Sequence, residues 1–275
     1  MLNKKNLPYI AIITIIIIVA AYIFYTQFAP LPHLSNATAN IFDGQPLNNS
    51  IYSGLYNVAN NQTLANNIST AFASNNGYSK INGTPLALNG KPEILYIGAE
   101  YCPYCAVTRW ALAIALMRFG SFSGLHYMTS SAADVFPNTA TLTFYNSTYA
   151  SSYISFIPVE TATNKPDPAI NFYYPLQSLN SSESTTLSNY DKGSSIPFID
   201  FGNSSLQVGS AINPQMIGGD NWSTIVGILG NPNSQITEEI LGTANLYTAA
   251  ICEKTGNLPA SVCSQKYVKS IEEYG

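Results

Sequence analysis

Hydrophobic residues are concentrated near the start of the chain, in an apolar run from Leu7 to Phe28 with consecutive isoleucines at its centre. Two lysines, Lys4 and Lys5, precede the run, and no charged residue interrupts it. A run of this length can cross a hydrocarbon core of about 30 Å, whereas the apolar part of a cleaved signal peptide has only about 7–15 residues. We therefore predict an uncleaved transmembrane helix within residues 1–28, with a cleaved signal peptide as the alternative. Because the lysines come first, the N-terminus should be cytoplasmic and the rest of the chain extracytoplasmic.

Prolines and glycines are frequent in the next stretch, residues 29–46, which predicts a linker where the chain leaves the membrane. Apolar residues then recur at helical spacing between residues 47 and 75, and this pattern predicts one helix or a pair of helices. We interpret residues 29–90 as a linker and a helical stalk that carry a folded domain at residues 91–275.

That domain begins with a strand, a turn and a helix. The apolar run Ile94–Ile97 predicts a buried strand, and Gly98–Tyr101 predicts the turn. A helix should begin beside Cys102 and continue to Phe119, where Gly120 ends it. A candidate second strand follows at residues 125–128.

Residues 129–192 have a different character, because they are rich in Ser, Thr, Asn and Tyr. We interpret them as an insertion with one strand at Tyr153–Glu160 and a helical patch around Ala169–Leu179. The chain then resumes with a predicted strand and its hairpin partner at residues 195–202 and 206–212, and two helices at residues 222–229 and 234–251. This order of strands and helices predicts an α/β fold.

The amino-acid composition of the chain makes some classes of function less expected than others. Only 9% of the residues are charged, while 46% are hydrophobic and 12% aromatic, so the chain can build a core despite its few charges. The net charge of −4, with no basic patch, makes nucleic acid an unexpected partner. Nine Asn-x-Ser/Thr sequons fit an exported glycoprotein, although a chain rich in these residues also contains sequons by chance. They begin at Asn36, Asn48, Asn61, Asn67, Asn82, Asn146, Asn180, Asn203 and Asn221.

Cys102 and Cys105 have the spacing Cys-x-x-Cys at the predicted start of a helix. Unpaired N–H groups and the positive end of the helix dipole favour a thiolate there, and the thiolate is the nucleophile of disulfide exchange. Cys102 would attack a substrate disulfide, and Cys105, one turn further along, would displace the substrate. Pro103 suits the first helical position, where its missing N–H is not needed. We interpret the two cysteines as a redox pair.

Two other interpretations of this motif remain open, namely half of a zinc site and a purely structural bridge. A zinc site would need the second cysteine pair, whose spacing is not that of a zinc knuckle, and neither His33 nor His126 has ligand spacing. We predict no metal and no other cofactor.

Three short motifs resemble the thioredoxin superfamily. Ala99–Cys102 resembles the Ala-Glu-Trp-Cys stretch of thioredoxin, and Pro103-Tyr104 matches the dipeptide between the glutaredoxin cysteines. Ile196-Pro197, which opens an apolar strand, resembles the cis-proline loop. The resemblance covers residues 91–128 and 193–252. It implies a thioredoxin-like fold with a four- or five-stranded mixed sheet, and an insertion at the place where DsbA-like oxidases also carry one.

The resemblance also implies roles for individual residues. The Ile196–Pro197 bond would be cis, Pro197 would belong to the catalytic site, and the Ile196 backbone would bind substrate; a trans proline at a strand edge is the alternative. Pro103 and Tyr104 would contact substrate from between the cysteines. Tyr101, beside the nucleophile, is predicted either to shape an apolar groove for unfolded peptide or to serve packing alone.

The chain departs from the superfamily at residue 96. Thioredoxin and DsbA carry a buried carboxylate six residues before the first cysteine, but Tyr96 stands there in this chain. We expect the nearest carboxylate, Glu100, to be a solvated loop residue. Arg109, one turn after Cys105, is expected on the surface, and Trp110 in the core.

A second cysteine pair, Cys252 and Cys263, flanks Gly256 and Pro259 just beyond a predicted helix. We predict a structural disulfide here, since an even number of cysteines outside the cytoplasm permits disulfides. A second redox pair that relays electrons to Cys102 and Cys105 is the alternative.

The whole chain is also similar to a family of uncharacterised archaeal proteins with an N-terminal anchor, a thioredoxin-like domain and a C-terminal cysteine pair. We expect a single-pass protein of the cell membrane whose extracytoplasmic domain is a thiol–disulfide oxidoreductase. Its partners would be exported proteins with thiols or disulfides, and a quinone-linked membrane protein that reoxidises the cysteines. The alternatives are a glycosylated surface or binding protein with an inert bridge, and a metal-handling protein.

Overall fold

The structure is a computed structural model that describes residues 40–68 and 78–274. The predicted transmembrane helix at residues 1–28 lies outside the described residues. Among those that are described, none of the helices combines the length and apolar character needed to cross a membrane.

The first half of the described chain contains two helices, three strands and a third, longer helix. These are α1 (Asn49–Asn60), α2 (Gln62–Asn67), β1 (Tyr78–Lys80), β2 (Ala87–Leu88), β3 (Lys91–Gly98) and α3 (Pro103–Met117). Seven strands follow without a helix between them. They are β4 (Gly120–Ser123), β5 (His126–Thr129), β6 (Ala140–Thr143), β7 (Thr148–Ser151), β8 (Ser155–Glu160), β9 (Ala162–Asp167) and β10 (Phe172–Pro175).

The remaining elements end the chain with a hairpin and a group of helices. They are α4 (Ser181–Tyr190), β11 (Phe198–Phe201), β12 (Ser205–Val208), a 3-10 helix (Pro214–Ile217), α5 (Trp222–Leu229), α6 (Gln235–Lys254), α7 (Ala260–Cys263) and α8 (Lys266–Tyr274). The predicted helices at 222–229 and 234–251 and the predicted hairpin are confirmed by α5, α6 and the antiparallel pair β11–β12.

A mixed sheet forms the centre of the molecule, with β3 as its longest strand. The strand order is β1-β12-β11-β3, with β8 parallel to β3 and β2 antiparallel to the start of β3. The sheet has six strands, more than the four or five expected, because β1 and β2 join it from the segment predicted to be a stalk. The α/β fold class is confirmed.

Successive residues of β3 point to opposite faces of the sheet, and both faces are covered. Ile94 and Tyr96 belong to the larger core cluster, which contains the apolar residues of α1, α3 and α6. Leu95 and Ile97 belong to a smaller cluster with Leu187 of α4. A strand that is buried on both faces must be apolar at consecutive positions, which explains the unbroken run at residues 94–97.

Helices α1 and α2 are not a stalk. Ile51, Leu55 and Leu64 are at most 5% exposed and belong to the larger core cluster. Each such side chain contributes roughly 1.5–3 kcal/mol by leaving water. The predicted pair of helices is therefore confirmed, but its apolar stripe packs inside the domain rather than standing apart from it.

The predicted insertion, residues 129–192, contributes to the central sheet. Strand β8 coincides with the predicted strand at Tyr153–Glu160 and lies parallel to β3. The predicted helical patch at Ala169–Leu179 is wrong, because the antiparallel hairpin β9–β10 occupies it and the helix begins only at Ser181. Asn180 caps that helix with a capping box involving Glu183, a polar signal that apolar periodicity does not detect.

Candidate functional site

Helix α3 begins directly after Cys102, which is its N-cap residue. The Cys105 backbone N–H donates to the Cys102 Sγ at 3.2 Å, and Pro103 occupies the first helical position. Both cysteines are free thiols, with Cys102 5% exposed and Cys105 fully buried. The predicted placement of the two cysteines at a helix start is confirmed.

The two sulfurs differ in how readily they ionise. A hydrogen bond from the Cys105 side chain, which outweighs the effect of burial, lowers the pKa of Cys102, and the Cys105 backbone N–H lowers it further. Burial, together with the Cys102 sulfur, raises the pKa of Cys105 well above its usual value. One sulfur is therefore prepared as a nucleophile and its neighbour holds a proton, which is the asymmetry that disulfide exchange requires.

The loop that carries Cys102 is fixed by backbone hydrogen bonds to the segment between α3 and α4. The N–H of Thr161 donates to the Gly98 carbonyl at 2.7 Å, and the N–H of Glu100 donates to the Ala162 carbonyl at 2.9 Å. On the other side, the N–H of Ser131 donates to the Tyr101 carbonyl at 2.9 Å. The segment predicted as an insertion therefore fixes the loop that carries Cys102.

The Ile196–Pro197 peptide bond is cis, as the resemblance implied. Phe198, the next residue, pairs with Ile97 of β3, so this loop lies at the same end of the sheet as Cys102. The Pro197 carbonyl accepts a hydrogen bond from the Gly209 N–H at 2.8 Å, which ties the loop to the chain after β12.

A cavity of about 330 Å³ lies between this loop and the hairpin β9–β10. Its walls are mainly apolar and include Ile97, Tyr101, Phe172, Tyr173 and Ile196. Tyr101 stacks on Tyr173 with ring centroids 4.1 Å apart, so it serves packing and lines the cavity at once.

Tyr104, between the two cysteines, is 41% exposed, and its ring contacts Phe136 edge-on at 5.8 Å. Pro103 is buried at the start of the helix. Of the two residues between the cysteines, Tyr104 is thus the one presented to solvent.

Arg109 is not on the surface, contrary to expectation. Its guanidinium is fully buried and binds the equally buried Glu160 through Nε and Nη2, each 2.8 Å from a carboxylate oxygen. Nη2 also donates to the Ala99 carbonyl at 2.6 Å, in the loop before Cys102. Helix α3 is buried on nearly all sides, so a charged residue on it must find its partner inside the protein.

Glu100 is not a solvated loop residue either. It is 5% exposed, and its Oε1 accepts a hydrogen bond from the Thr143 hydroxyl at 2.8 Å. Burial, reinforced by the nearby Glu160 carboxylate, raises the pKa of Glu100 to about 7. This carboxyl group, two residues before Cys102, therefore changes protonation state near neutral pH.

Tyr96, six residues before Cys102, is fully buried. Its hydroxyl has no hydrogen-bond partner among the described residues, and it lies against Gly98, where an added Cβ would be 2.1 Å from the hydroxyl oxygen. The position is thus filled by a polar group without a charge. The charged groups lie on Arg109 and Glu160 instead.

Cys252 and Cys263 form a disulfide, so the predicted pairing is confirmed. Both residues are fully buried, in the larger core cluster. A relay of electrons to Cys102 and Cys105 would require accessible sulfurs, so the geometry favours a structural role.

Potential metal ligands do not cluster in the part of the chain that the structure describes: it contains no group of three or more His, Cys, Asp or Glu residues suited to an ion.

A family model described as a domain of unknown function (DUF929) matches residues 77–253. The chain belongs to the DUF929 family. The matched DUF929 region contains Cys102, Cys105, Arg109, Glu160 and Pro197, and it ends one residue after Cys252. Neither a curated protein nor a solved structure matches the chain.

Two residues of this site, Arg109 and Glu100, were expected in solvent and are buried, and a third, Glu160, was not predicted as a site residue. A signal existed for Arg109 and Glu160, because a single arginine in a helix that is otherwise apolar all round requires a buried partner. Glu160, at the end of an apolar strand, is a natural candidate. No comparable pattern marks Glu100, whose burial depends on how the segment after α3 folds back over the loop.

Proposed function

We propose that this protein is a membrane-anchored thiol–disulfide oxidoreductase that acts outside the cytoplasmic membrane through Cys102 and Cys105. The observation that carries the proposal is the geometry of the two sulfurs: Cys102 caps α3, its Sγ accepts the Cys105 N–H, and the pKa values of the two thiols are shifted in opposite directions.

The reaction follows from this asymmetry. The Cys102 thiolate attacks one sulfur of a substrate disulfide, forms a mixed disulfide and releases the other substrate sulfur as a thiolate, which takes up a proton. Cys105 then loses its proton and attacks the Cys102 sulfur, which releases the second substrate thiol. Two electrons pass to the substrate and a Cys102–Cys105 disulfide remains. In reverse, that disulfide oxidises a substrate dithiol, which is the expected direction in an oxidising compartment.

A thioredoxin-like fold is part of the proposal. Three features support it: a mixed sheet with helices on both faces, Cys102 in the loop after a central strand, and the loop of Pro197 at the same end of the sheet. In such a fold the Ile196 backbone binds extended substrate. Tyr101 and Tyr104 lie on either side of Cys102 and would contact the same peptide.

The membrane anchor is proposed from the apolar run at residues 7–28 and the lysines before it. An exported domain of this kind would meet secreted proteins as they fold. Sustained oxidation of substrates would also need a membrane redox partner, such as a quinone-linked protein, to remove electrons from Cys102 and Cys105.

A redox titration of the full chain in detergent tests the proposal. The protein would be equilibrated with thiol–disulfide buffers, the free thiols trapped, and each cysteine identified by mass spectrometry. We expect a reversible Cys102–Cys105 couple, at about −120 to −180 mV for an oxidase or isomerase and about −270 mV for a reductase. If the two cysteines stay oxidised well below about −300 mV, the bridge is structural and the oxidoreductase proposal is wrong.

A further inference from the structure

The buried ion pair between Arg109 and Glu160 is the feature of the site that the proposed reaction does not use. Removing two charges from water is costly, and buried ion pairs are often no more stable than apolar residues of the same volume. Both side chains are fully buried and joined by two hydrogen bonds of 2.8 Å. Stability alone is therefore a weak reason for this pair to lie in the core.

Both members of the ion pair are connected to the segments that carry the cysteines. Arg109 lies four residues after Cys105, on the same side of α3 and one turn deeper. Glu160 is the last residue of β8 and pairs in register with Gly98, the last residue of β3. The Ala99 carbonyl, which accepts the third hydrogen bond from Arg109, follows directly in the loop that leads to Cys102.

The electrostatic effect of each partner on the sulfurs has a definite sign. After the hydrogen bonds from Cys105 and the effect of burial, the positive charge of Arg109 further lowers the pKa of Cys102. For Cys105, whose pKa is dominated by burial, Arg109 acts in the lowering direction and Glu160 in the raising direction. A cation that favours thiolates thus lies beside an anion that holds it in place and offsets part of its field.

We propose that Arg109 and Glu160 are positioning residues that set, with opposite signs, the reduction potential of Cys102–Cys105. The inference rests on the proposed function. Arg109 stabilises the thiolate of the reduced form, which makes the disulfide more strongly oxidising, whereas Glu160 limits that effect. Stabilising the reduced form is a known route to a strongly oxidising disulfide.

The residue at position 96 fits this arrangement. A lone buried carboxylate there would disfavour a thiolate nearby, but Tyr96 carries no charge in its neutral form, and burial raises its pKa well above its usual value. The charges next to the sulfurs are therefore those of Arg109 and Glu160, which sum to zero. Glu100 is the remaining group that titrates near neutral pH.

Two substitutions separate this proposal from a merely structural role. Arg109→Met should reduce the thiolate fraction of Cys102 about tenfold at any pH well below the pKa of that thiol, and should shift the potential in the reducing direction by about 30 mV, the equivalent of tenfold. Glu160→Gln should shift both quantities in the opposite direction, by up to about tenfold. Thiolate absorbance during a pH titration reports the first quantity, and equilibrium with glutathione reports the second.

The matched control is Arg118, the other buried arginine at this helix, which lies nine residues further from the cysteines. Its side chain donates to the Ala59 carbonyl at 3.0 Å and to the Thr248 hydroxyl at 2.7 Å. Arg118→Met should destabilise the fold and leave the Cys102 pKa and the potential unchanged.

The outcomes are decisive even where one variant fails to fold. If Arg109→Met does not fold, the direction in which Glu160→Gln shifts the potential tests the inference by itself. Arg109→Lys, which keeps the charge, is then the reference, and its potential should stay close to that of the wild type. The inference would be overturned if Arg109→Met and Glu160→Gln shifted the potential in the same direction, or if Glu160→Gln did not shift it. A reversible couple in the wild-type protein would still uphold the proposed function in that case. A wild-type bridge that cannot be reduced would instead refute the proposed function itself.

Discussion

The two cysteine pairs of this chain lie in contrasting surroundings. Cys102 and Cys105 meet at the N-terminus of α3, where a backbone N–H points at one sulfur and the Arg109–Glu160 ion pair lies close by. Cys252 and Cys263 are bonded to each other within the apolar core, at α6 and α7. Cysteine thus occurs in this chain both as a pair of free thiols and as a disulfide. Disulfide-bonded cysteines do not titrate, so only Cys102 and Cys105 can ionise, and the hydrogen-bond donors and charges next to Cys102 favour its thiolate over that of Cys105.

The largest expected difference between the two pairs is in activity. Cys102→Ser should abolish disulfide exchange, because no other described sulfur has a lowered pKa and a helix N-terminus beside it. Reduction of a model disulfide by the variant and by wild type measures this. The double variant Cys252→Ala/Cys263→Ala is the matched control and should retain exchange. Exchange that persisted in Cys102→Ser would remove the basis for contrasting the two pairs.

The pH dependence of stability should be controlled by two buried carboxyl groups, of which one, Glu100, lies next to the first pair. The pKa of Glu100 is raised to about 7 and that of Asp200 to about 6, in both cases chiefly by burial. A raised carboxyl pKa means that the folded state binds more protons than the unfolded state, so stability falls as pH rises from about 4 to about 7. Each group should contribute about 3 kcal/mol of extra stability at pH 4 relative to pH 8.

Denaturant unfolding at several pH values measures this slope. Glu100→Gln should flatten it and stabilise the protein at pH 8, whereas Glu238→Gln, at an exposed site on α6, should leave it unchanged. Stability that rose with pH over this range would contradict the burial of Glu100.

Loss of the second pair should affect stability alone. The disulfide closes a loop with a sequence separation of 11, for which the chain-entropy model gives about 2–3 kcal/mol. Cys252→Ala/Cys263→Ala should lower the free energy of unfolding by this amount, as measured in guanidinium chloride. A change in the potential of Cys102–Cys105 in this variant would show that the two pairs are coupled after all.

The smallest expected effect concerns the strand that leads to the first pair. Gly98→Ala would bring a methyl group against the Tyr96 hydroxyl, and overpacking of this kind costs roughly 1–3 kcal/mol. Tyr96→Phe removes a buried hydroxyl without a described partner, so by itself it should be neutral or slightly stabilising. The cost of Gly98→Ala should also be smaller in the Tyr96→Phe background, which a double-mutant cycle measures.

The local pattern of apolar and polar residues was sufficient to predict most of the individual helices and strands. Apolar periodicity, together with the Gly, Pro and polar capping residues that end or begin an element, predicts most of them. The elements predicted in this way are the strand at 94–97, the helix from Cys102, the hairpin β11–β12, and helices α5 and α6. The prediction around residues 169–179 was wrong because the hairpin joins a polar strand, Ala162–Asp167, to a short aromatic strand, Phe172–Pro175. Neither strand alternates polar and apolar residues, so the pairing of the two strands defines the structure there.

The sequence by itself determined where the candidate nucleophile lies. The spacing of Cys102 and Cys105, with Pro103 after the first cysteine, requires only one helix start, and a helix start is a local event. The disulfide between Cys252 and Cys263 was predictable for a similar reason, since the two cysteines are close in the sequence.

Only the tertiary structure decided what surrounds these sulfurs. The partner of Arg109 is 51 residues away and the donor to Glu100 is 43 residues away, on strands whose placement depends on long-range pairing. The packing of α1 and α2 against the core, rather than as a stalk, was likewise decided by the apolar faces they meet. The effects of charge and burial on a thiol depend on distances in space, and those distances are defined only in the folded chain.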